Sequence, residues 1–209
     1  MKRVRVYNAQ RHIAYGISIL FHPLIIPTLA FLLLMNSGFY FALLPFRAKQ
    51  TILLVVFLST FLLPLTSLAL LRLNPLKKTD LSKSQDRIIP LLVSTLFYYL
   101  GYILLGKLEV YPVYRLFLIS SILIVLLMMI ISIRWKISIH MAAIGGLTGA
   151  VIALSLRLQL NSSLLLTGLV GIAGLLGTAR LVLKRHNPLQ VYAGFFIGFS
   201  VNYLIINYI

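Results

Sequence analysis

Residues 113–133 read VYRLFLISSILIVLLMMIISI, an almost unbroken apolar run in which Arg115 is the only charged side chain. A hydrocarbon core about 30 Å thick requires roughly 20 such residues in an α-helix. At this depth no water can bind the backbone N–H and C=O groups, so they must be satisfied within the helix itself. The run is followed by Arg134, Trp135 and Lys136, a combination typical of a membrane–water interface. The stretch therefore predicts a transmembrane helix.

The rest of the chain repeats this pattern. Its 209 residues are 60% hydrophobic and only 11% charged, whereas about 25% of the residues in a soluble domain are charged. Apolar segments long enough to cross a bilayer cover about 13–35, 51–71, 88–106, 113–133, 138–156, 162–182 and 189–209. The gaps between them are too short for a second domain. We expect an all-α, polytopic transmembrane helical bundle of about six or seven helices, forming a single domain over 1–209.

The basic residues indicate which way the bundle faces. The net charge is +16, but the lysines and arginines lie in short gaps between apolar segments, which argues against a nucleic-acid-binding surface. If the segments cross in turn, the face that holds the N-terminus carries 14 of them and the opposite face carries 5. By the positive-inside rule we expect the N-terminus and the more basic face to be cytoplasmic, in a bacterial inner (cytoplasmic) membrane.

Three polar blocks fall on this more basic face, each at the end of a predicted helix. They contain Arg87, then Ser138 and His140, then Arg180 and His186. Planar guanidinium groups bind phosphate oxygens in bidentate fashion. One histidine can attack phosphorus while another protonates the leaving oxygen. The blocks therefore predict a site for phosphoryl transfer at the depth of a lipid headgroup.

The small number of possible metal ligands agrees with a site that works without a metal. The only acidic residues are Asp80, Asp86 and Glu109, too few for a magnesium or two-metal site built from carboxylates. The chain has no cysteine, so thiolate chemistry and disulfides are excluded. We expect no metal and no other cofactor.

In their order and spacing the three blocks resemble the motifs of the type-2 phosphatidic acid phosphatase superfamily, the lipid phosphate phosphatases. The third motif of that family is Ser-Arg, five residues, His, three residues, Asp. The corresponding residues here are Ala179-Arg180, five residues, His186, three residues, Gln190. The resemblance covers about 80–200 and identifies the chain as a divergent member.

The other two motifs are less complete. The second, Pro-Ser-Gly-His, resembles Ile137-Ser138-Ile139-His140, which keeps the serine and the histidine. The first is Lys, six residues, Arg-Pro. Arg87 matches its arginine, Asp80 occupies the position of its lysine, and the proline is delayed to Pro90.

The resemblance implies a role for each matching residue. His186 becomes the nucleophile that forms a phosphohistidine, and His140 becomes the general acid. The family's aspartate orients the nucleophilic histidine and balances its charge. Gln190 can accept the ring N–H but cannot offset the charge. The implied phosphate-binding residues are Arg87, Arg180, Ser138 and, in place of the missing lysine, Lys83.

Two functions follow as expectations. The first is a membrane lipid phosphate or pyrophosphate phosphatase acting on phosphatidic acid, phosphatidylglycerophosphate or a polyprenyl phosphate. The alternative is a catalytically inactive relative that binds a lipid phosphate or serves as a subunit or scaffold of a membrane complex. In either case the partners are membrane lipids rather than nucleic acid, and other membrane proteins or further copies of the chain are compatible with both.

Two further features of the sequence are open to more than one interpretation. His22 lies inside an apolar segment, where an ionisable side chain suggests function, but it could instead bond a carbonyl that Pro23 leaves unpaired. The glycines at small-residue spacing predict close helix packing. They are Gly145, Gly146, Gly149, Gly168, Gly171, Gly174 and Gly177.

Overall fold

The computed structural model describes residues 2–36, 44–73, 87–108 and 110–208. Its helices are α1 (Lys2–Leu20), α2 (Ile26–Leu34), α3 (Phe46–Phe57), α4 (Leu63–Leu73), α5 (Ile88–Gly106), α6 (Pro112–Ser132), α7 (Ile139–Leu158), α8 (Ser163–Val182) and α9 (Pro188–Tyr208). The described part contains no strand, so the predicted all-α bundle is confirmed.

Within the described residues, six helices are long and apolar enough to cross a membrane. They are the continuous helix Phe46–Leu70 and the five helices α5 to α9. The chain is therefore an integral membrane protein, and the expected number of about six or seven transmembrane helices is confirmed.

The first predicted segment, 13–35, is not one helix. α1 ends at Leu20 and α2 begins at Ile26, with a turn between them in which the carbonyl of His22 accepts the Ile25 N–H at 2.9 Å. Pro23 disfavours helical backbone at His22 and has no N–H to donate, while Pro27 lies at the start of α2. α2 has only 9 residues, too few to span a bilayer. The predicted crossing by a single helix over 13–35 is wrong for this reason.

The first spanning helix contains a wide turn. Residues Leu58–Leu62 are π-helical and join α3 to α4 without a break. Pro64 follows directly and cannot donate a backbone hydrogen bond to the preceding turn, which is a known cause of such irregularities. The hydroxyl of Ser59 donates a hydrogen bond to the carbonyl of Val55 at 2.7 Å.

α7 is the central helix of the bundle. Of its spanning residues 67% are buried, compared with 28–44% for the other five spans. It packs closely against α9 because glycines allow the two backbones to touch. A Cβ atom added at Gly145 or Gly149 would collide with the carbonyl oxygen of Phe195 or Phe199, and one added at Gly198 would collide with that of Ala142.

The glycines of α8 behave differently. Gly177 faces Val191 and Met141, but Cβ atoms added at Gly168, Gly171 and Gly174 would meet nothing within 4 Å in the described part of the chain. The prediction of close packing is therefore wrong for these three positions within a single copy. Spacing alone does not say which face of a helix meets a neighbour.

This topology brings several helix ends together. α5, α7 and α9 begin where α6 and α8 end, and we call this side of the bundle the motif face. The end of α1 also reaches it, because the carbonyl of Ser18 contacts the ring of His140 at the start of α7.

Candidate active site

The segment between α6 and α7 connects the three sequence blocks. Arg87 donates from Nη1 to the carbonyl of Ile137 at 3.4 Å. The backbone N–H of Ser138 donates to the carbonyl of Gln190 at 3.2 Å. The ring of His186 donates from Nδ1 to the carbonyl of Lys136 at 3.1 Å. Residues far apart in sequence therefore meet around three consecutive residues, 136–138.

The proton on His186 is placed by its neighbours. The carbonyl of Lys136 can only accept, so Nδ1 must carry the hydrogen. Nδ1 also lies 3.3 Å from Oε1 of Gln190. The orientation of that amide follows from the backbone N–H of Asn187, which donates to the same Oε1 at 3.1 Å. In the neutral ring, Nε2 is left with a lone pair, as a nucleophile or a base requires.

His186 is neutral at ordinary pH. Burial first, and then the positive charge of Arg180, lower its pKa from 6.5 to about 4. Its hydrogen bonds to Lys136 and Gln190 act in the opposite direction but are outweighed. The side chain is 8% exposed.

Gln190 has a second function that is purely local. Its backbone N–H donates to Oδ1 of Asn187 at 2.9 Å, while its side chain accepts from the Asn187 N–H. This reciprocal pair is a capping box, and it fixes the first turn of α9 together with Pro188 at the first helical position. The same carbonyl oxygen thus caps the helix and orients His186.

Positive charge is concentrated around this histidine. Burial and the neighbouring charge of Arg185 lower the pKa of Arg87. Arg180 contributes to the electrostatic environment of both His186 and His140. Among the described residues, Nε of Arg180 and Oγ of Ser138 are buried with no hydrogen-bond partner. Buried donors in this state are expected to find an acceptor, and an anion supplies several.

A cavity of about 420 Å³ adjoins the cluster. Its polar end is lined by His22, Arg87, His140, Arg180 and Arg185. The remaining wall is largely apolar, with contributions from Leu91, Phe117, Val125 and Met128 among others.

The cavity reaches the outside of the bundle beside α1. Tyr15 and Ile19 lie on its wall and are 60% and 56% exposed. The cavity therefore combines basic and imidazole side chains with a largely apolar wall.

The structure thus places most of the predicted site residues close together, but only some of them line the cavity. Arg87, His140 and Arg180 line the cavity, whereas Ser138 and His186 are not among its lining residues. They lie beside it, joined to the α6–α7 segment and to the start of α9. Lys83 lies outside the described residues, as do Asp80, Asp86 and Glu109.

Some residues of the site could not be assigned from the sequence. Arg185 matches no residue of the three motifs, yet it lines the cavity. Asn187 to Gln190 spell a capping box, a signal that was present but hidden by the match to the phosphatase motif. Ser18, whose carbonyl contacts His140, belongs to no motif.

Comparison with protein-family models, with curated proteins and with solved structures returns no match. The resemblance to the lipid phosphate phosphatases therefore depends on the three motif blocks alone.

Proposed function

We propose that the chain is a membrane lipid phosphate or pyrophosphate phosphatase that acts through a phosphohistidine on His186. One observation carries this proposal: a neutral His186 is held with its proton on Nδ1 beside buried arginine and serine donors that have no partner in the described part of the chain. An acceptor-rich anion such as a phosphate ester satisfies those donors and meets the lone pair on Nε2.

The reaction takes place in two steps. Nε2 of His186 attacks phosphorus, a P–N bond forms, and the bond from phosphorus to the lipid oxygen breaks. His140, when it carries both ring protons, supplies one to the departing oxygen. Water then attacks phosphorus and gives a proton to the neutral ring of His140, the P–N bond breaks, and orthophosphate leaves with Nε2 regaining its lone pair. Arg87, Arg180 and Ser138 bind the phosphate oxygens throughout.

The substrate class follows from the cavity. Its charged end suits a phosphate or pyrophosphate group, and its apolar wall suits an acyl or isoprenyl chain that arrives from the membrane beside α1. We propose that the motif face lies on the cytoplasmic side of a bacterial inner membrane, because Arg87, Arg180 and Arg185 are gathered there and cytoplasmic loops are rich in basic residues.

The test is phosphate release by the purified protein in detergent–lipid micelles, with chelator present, over a panel of lipid phosphates and pyrophosphates. We expect His186→Ala to abolish release and Arg180→Ala to lower kcat by about 10²–10³. His12→Ala and Arg47→Ala are matched controls, because both side chains are exposed and lie outside the cavity. Full activity in His186→Ala would contradict the mechanism.

A second candidate function is a catalytically inactive relative that binds a lipid phosphate or serves as a subunit of a membrane complex. Two observations favour it. Gln190 brings no negative charge to His186, and its carbonyl is shared with the helix cap. His186 also lies beside the cavity rather than in its wall. Lipid phosphate binding with no release from any substrate would support this candidate.

A further inference from the structure

His22 occupies an unusual position in the fold. It lies in the turn between α1 and α2, and its side chain lines the cavity together with Arg87, His140 and Arg180. The turn exists because Pro23 follows, so the same local sequence that interrupts the helix brings an imidazole to the motif face.

The protonation of His22 is set by the turn itself. The backbone N–H of Leu24 donates to Nδ1 of His22 at 3.3 Å. Since a backbone N–H can only donate, Nδ1 is the acceptor, and the neutral ring carries its hydrogen on Nε2. The turn therefore presents His22 as a hydrogen-bond donor through Nε2.

His140 is oriented in a complementary way. Its Nε2 donates to the carbonyl of Ser18 at 3.2 Å, at the end of α1. The rings of His22 and His140 pack edge to face, with centroids 5.6 Å apart and planes at 78°. The end of α1 thus contacts His140 through Ser18, and the α1–α2 turn contacts it through His22.

We propose that His22 is a third histidine of the phosphate site, and that it donates Nε2–H to an oxygen of the bound phosphate group. The inference rests on the proposed phosphate site and adds a residue that the three motif blocks do not contain. Each of the three terminal oxygens of a phosphate group can accept more than one hydrogen bond, so two arginine side chains and one serine leave acceptor capacity for a further donor.

The experiment measures the equilibrium dissociation constant for inorganic phosphate, using the full-length protein in detergent micelles, so that the readout does not depend on turnover. We expect His22→Leu to weaken binding about tenfold or more, the usual effect of losing a hydrogen bond to a charged group. His22→Gln keeps an N–H donor near the position of Nε2 and should remain within about threefold of the wild type. His12→Leu is the matched control, because His12 is exposed on α1.

Each outcome has a distinct meaning. Weaker binding in His22→Leu, with normal binding in His22→Gln and His12→Leu, supports the inference. Equal binding by His22→Leu and the wild type overturns it and leaves the phosphatase proposal intact. No phosphate binding by the wild type overturns both.

A second measurement needs no folded His22→Leu protein. The chain has four histidines, so imidazole ¹⁵N resonances can be assigned one at a time. We expect phosphate to shift the Nε2 resonance of His22 in the wild-type protein and to leave that of His12 in place. A His22 resonance that stays fixed while phosphate binds overturns the inference.

Discussion

At the scale of single residues, the proposed site depends on Gln190, an amide where the motif that it resembles has a carboxylate. Gln190 accepts from the Asn187 N–H and lies 3.3 Å from Nδ1 of His186. It can therefore fix the tautomer of the histidine, but it cannot compensate the positive charge that develops when Nε2 attacks phosphorus. The rate of the proposed first step is limited by this missing charge.

Restoring the charge should raise turnover. We expect Gln190→Asp to increase kcat for phosphate release by at least about tenfold. In serine proteases, loss of the carboxylate that orients the catalytic histidine lowers kcat by about 10⁴. Gln50→Asp, at an exposed position on α3, is the control for the added charge alone. A drop in release together with a lower melting temperature would mean that the capping box matters more than the charge.

The pH dependence of activity tests the state of His186. Attack requires the neutral ring, and the pKa of His186 is lowered from 6.5 to about 4. The histidine therefore remains competent as the pH falls through 6.5 and loses activity only near pH 4. We expect the acid limb of kcat/KM, which reports the free enzyme, to lie there.

Two measurements complete this test. The lipid phosphate itself loses its second proton near pH 6. This ionisation is measured separately by ³¹P NMR, and the pH profile of kcat/KM is corrected for it. In Gln190→Asp the limb should move to higher pH, because a nearby anion favours the charged ring. A wild-type limb near 6.5 would contradict the assignment of His186.

The residues of the site were only partly predictable from the sequence. Spacing predicted that Arg87, His140, Arg180 and His186 share one face, and the structure brings them close together. Spacing could not place His22, since a hydropathy window hides the turn that Pro23 imposes. Nor could it show that the oxygen of Gln190 also caps α9.

At the scale of helices, the approach of α7 to α9 is the contact that positions the site. Ser138 and Gln190 lie at the starts of these two helices and are joined by a backbone hydrogen bond. Any side chain that separates the helices at Gly198 moves the two halves of the site apart, because the neighbouring atom is a backbone carbonyl.

A pair of glycine variants tests this contact. We expect Gly198→Ala to lower the melting temperature by roughly 2–12 °C, from an overpacking cost of about 1–3 kcal/mol. Phosphate release should fall as well. Gly171→Ala is the matched control, since nothing lies within 4 Å of its added Cβ atom. In a helix interior that change stabilises by roughly 0.5–1 kcal/mol. Similar melting temperatures for both variants would contradict the described contact.

The positions of the helices along the chain were far more predictable than the faces through which they contact one another. The expected segments 88–106 and 113–133 match α5 and α6 within one residue at each end, because bilayer thickness fixes the length of an apolar run. The segment 13–35 was wrong, since average hydropathy ignores the backbone restrictions of Pro23 and Pro27. The open glycines of α8 show that small-residue spacing does not identify a partner.

At the scale of the whole molecule, the motif face carries the cluster of Arg87, Arg180 and Arg185. The orientation can be tested with single cysteines, because the chain has none of its own. We expect a membrane-impermeant maleimide to label Asn161→Cys in intact cells, and to label Arg134→Cys only after permeabilisation. Both positions are exposed, in loops at opposite ends of the bundle. The reverse labelling would place the site on the outer leaflet.

The distribution of the site along the chain has a consequence for biosynthesis. Ser18 and His22 contact His140 near the beginning of α7, and Gln190 reaches His186 from the first turn of α9. The residues around the site are therefore translated far apart in time. Until α9 has left the translocon, the nascent protein holds His22 and His140 without the groups at the start of α9. A ribosome that stalls before residue 190 thus releases an inserted polypeptide in which this arrangement cannot form.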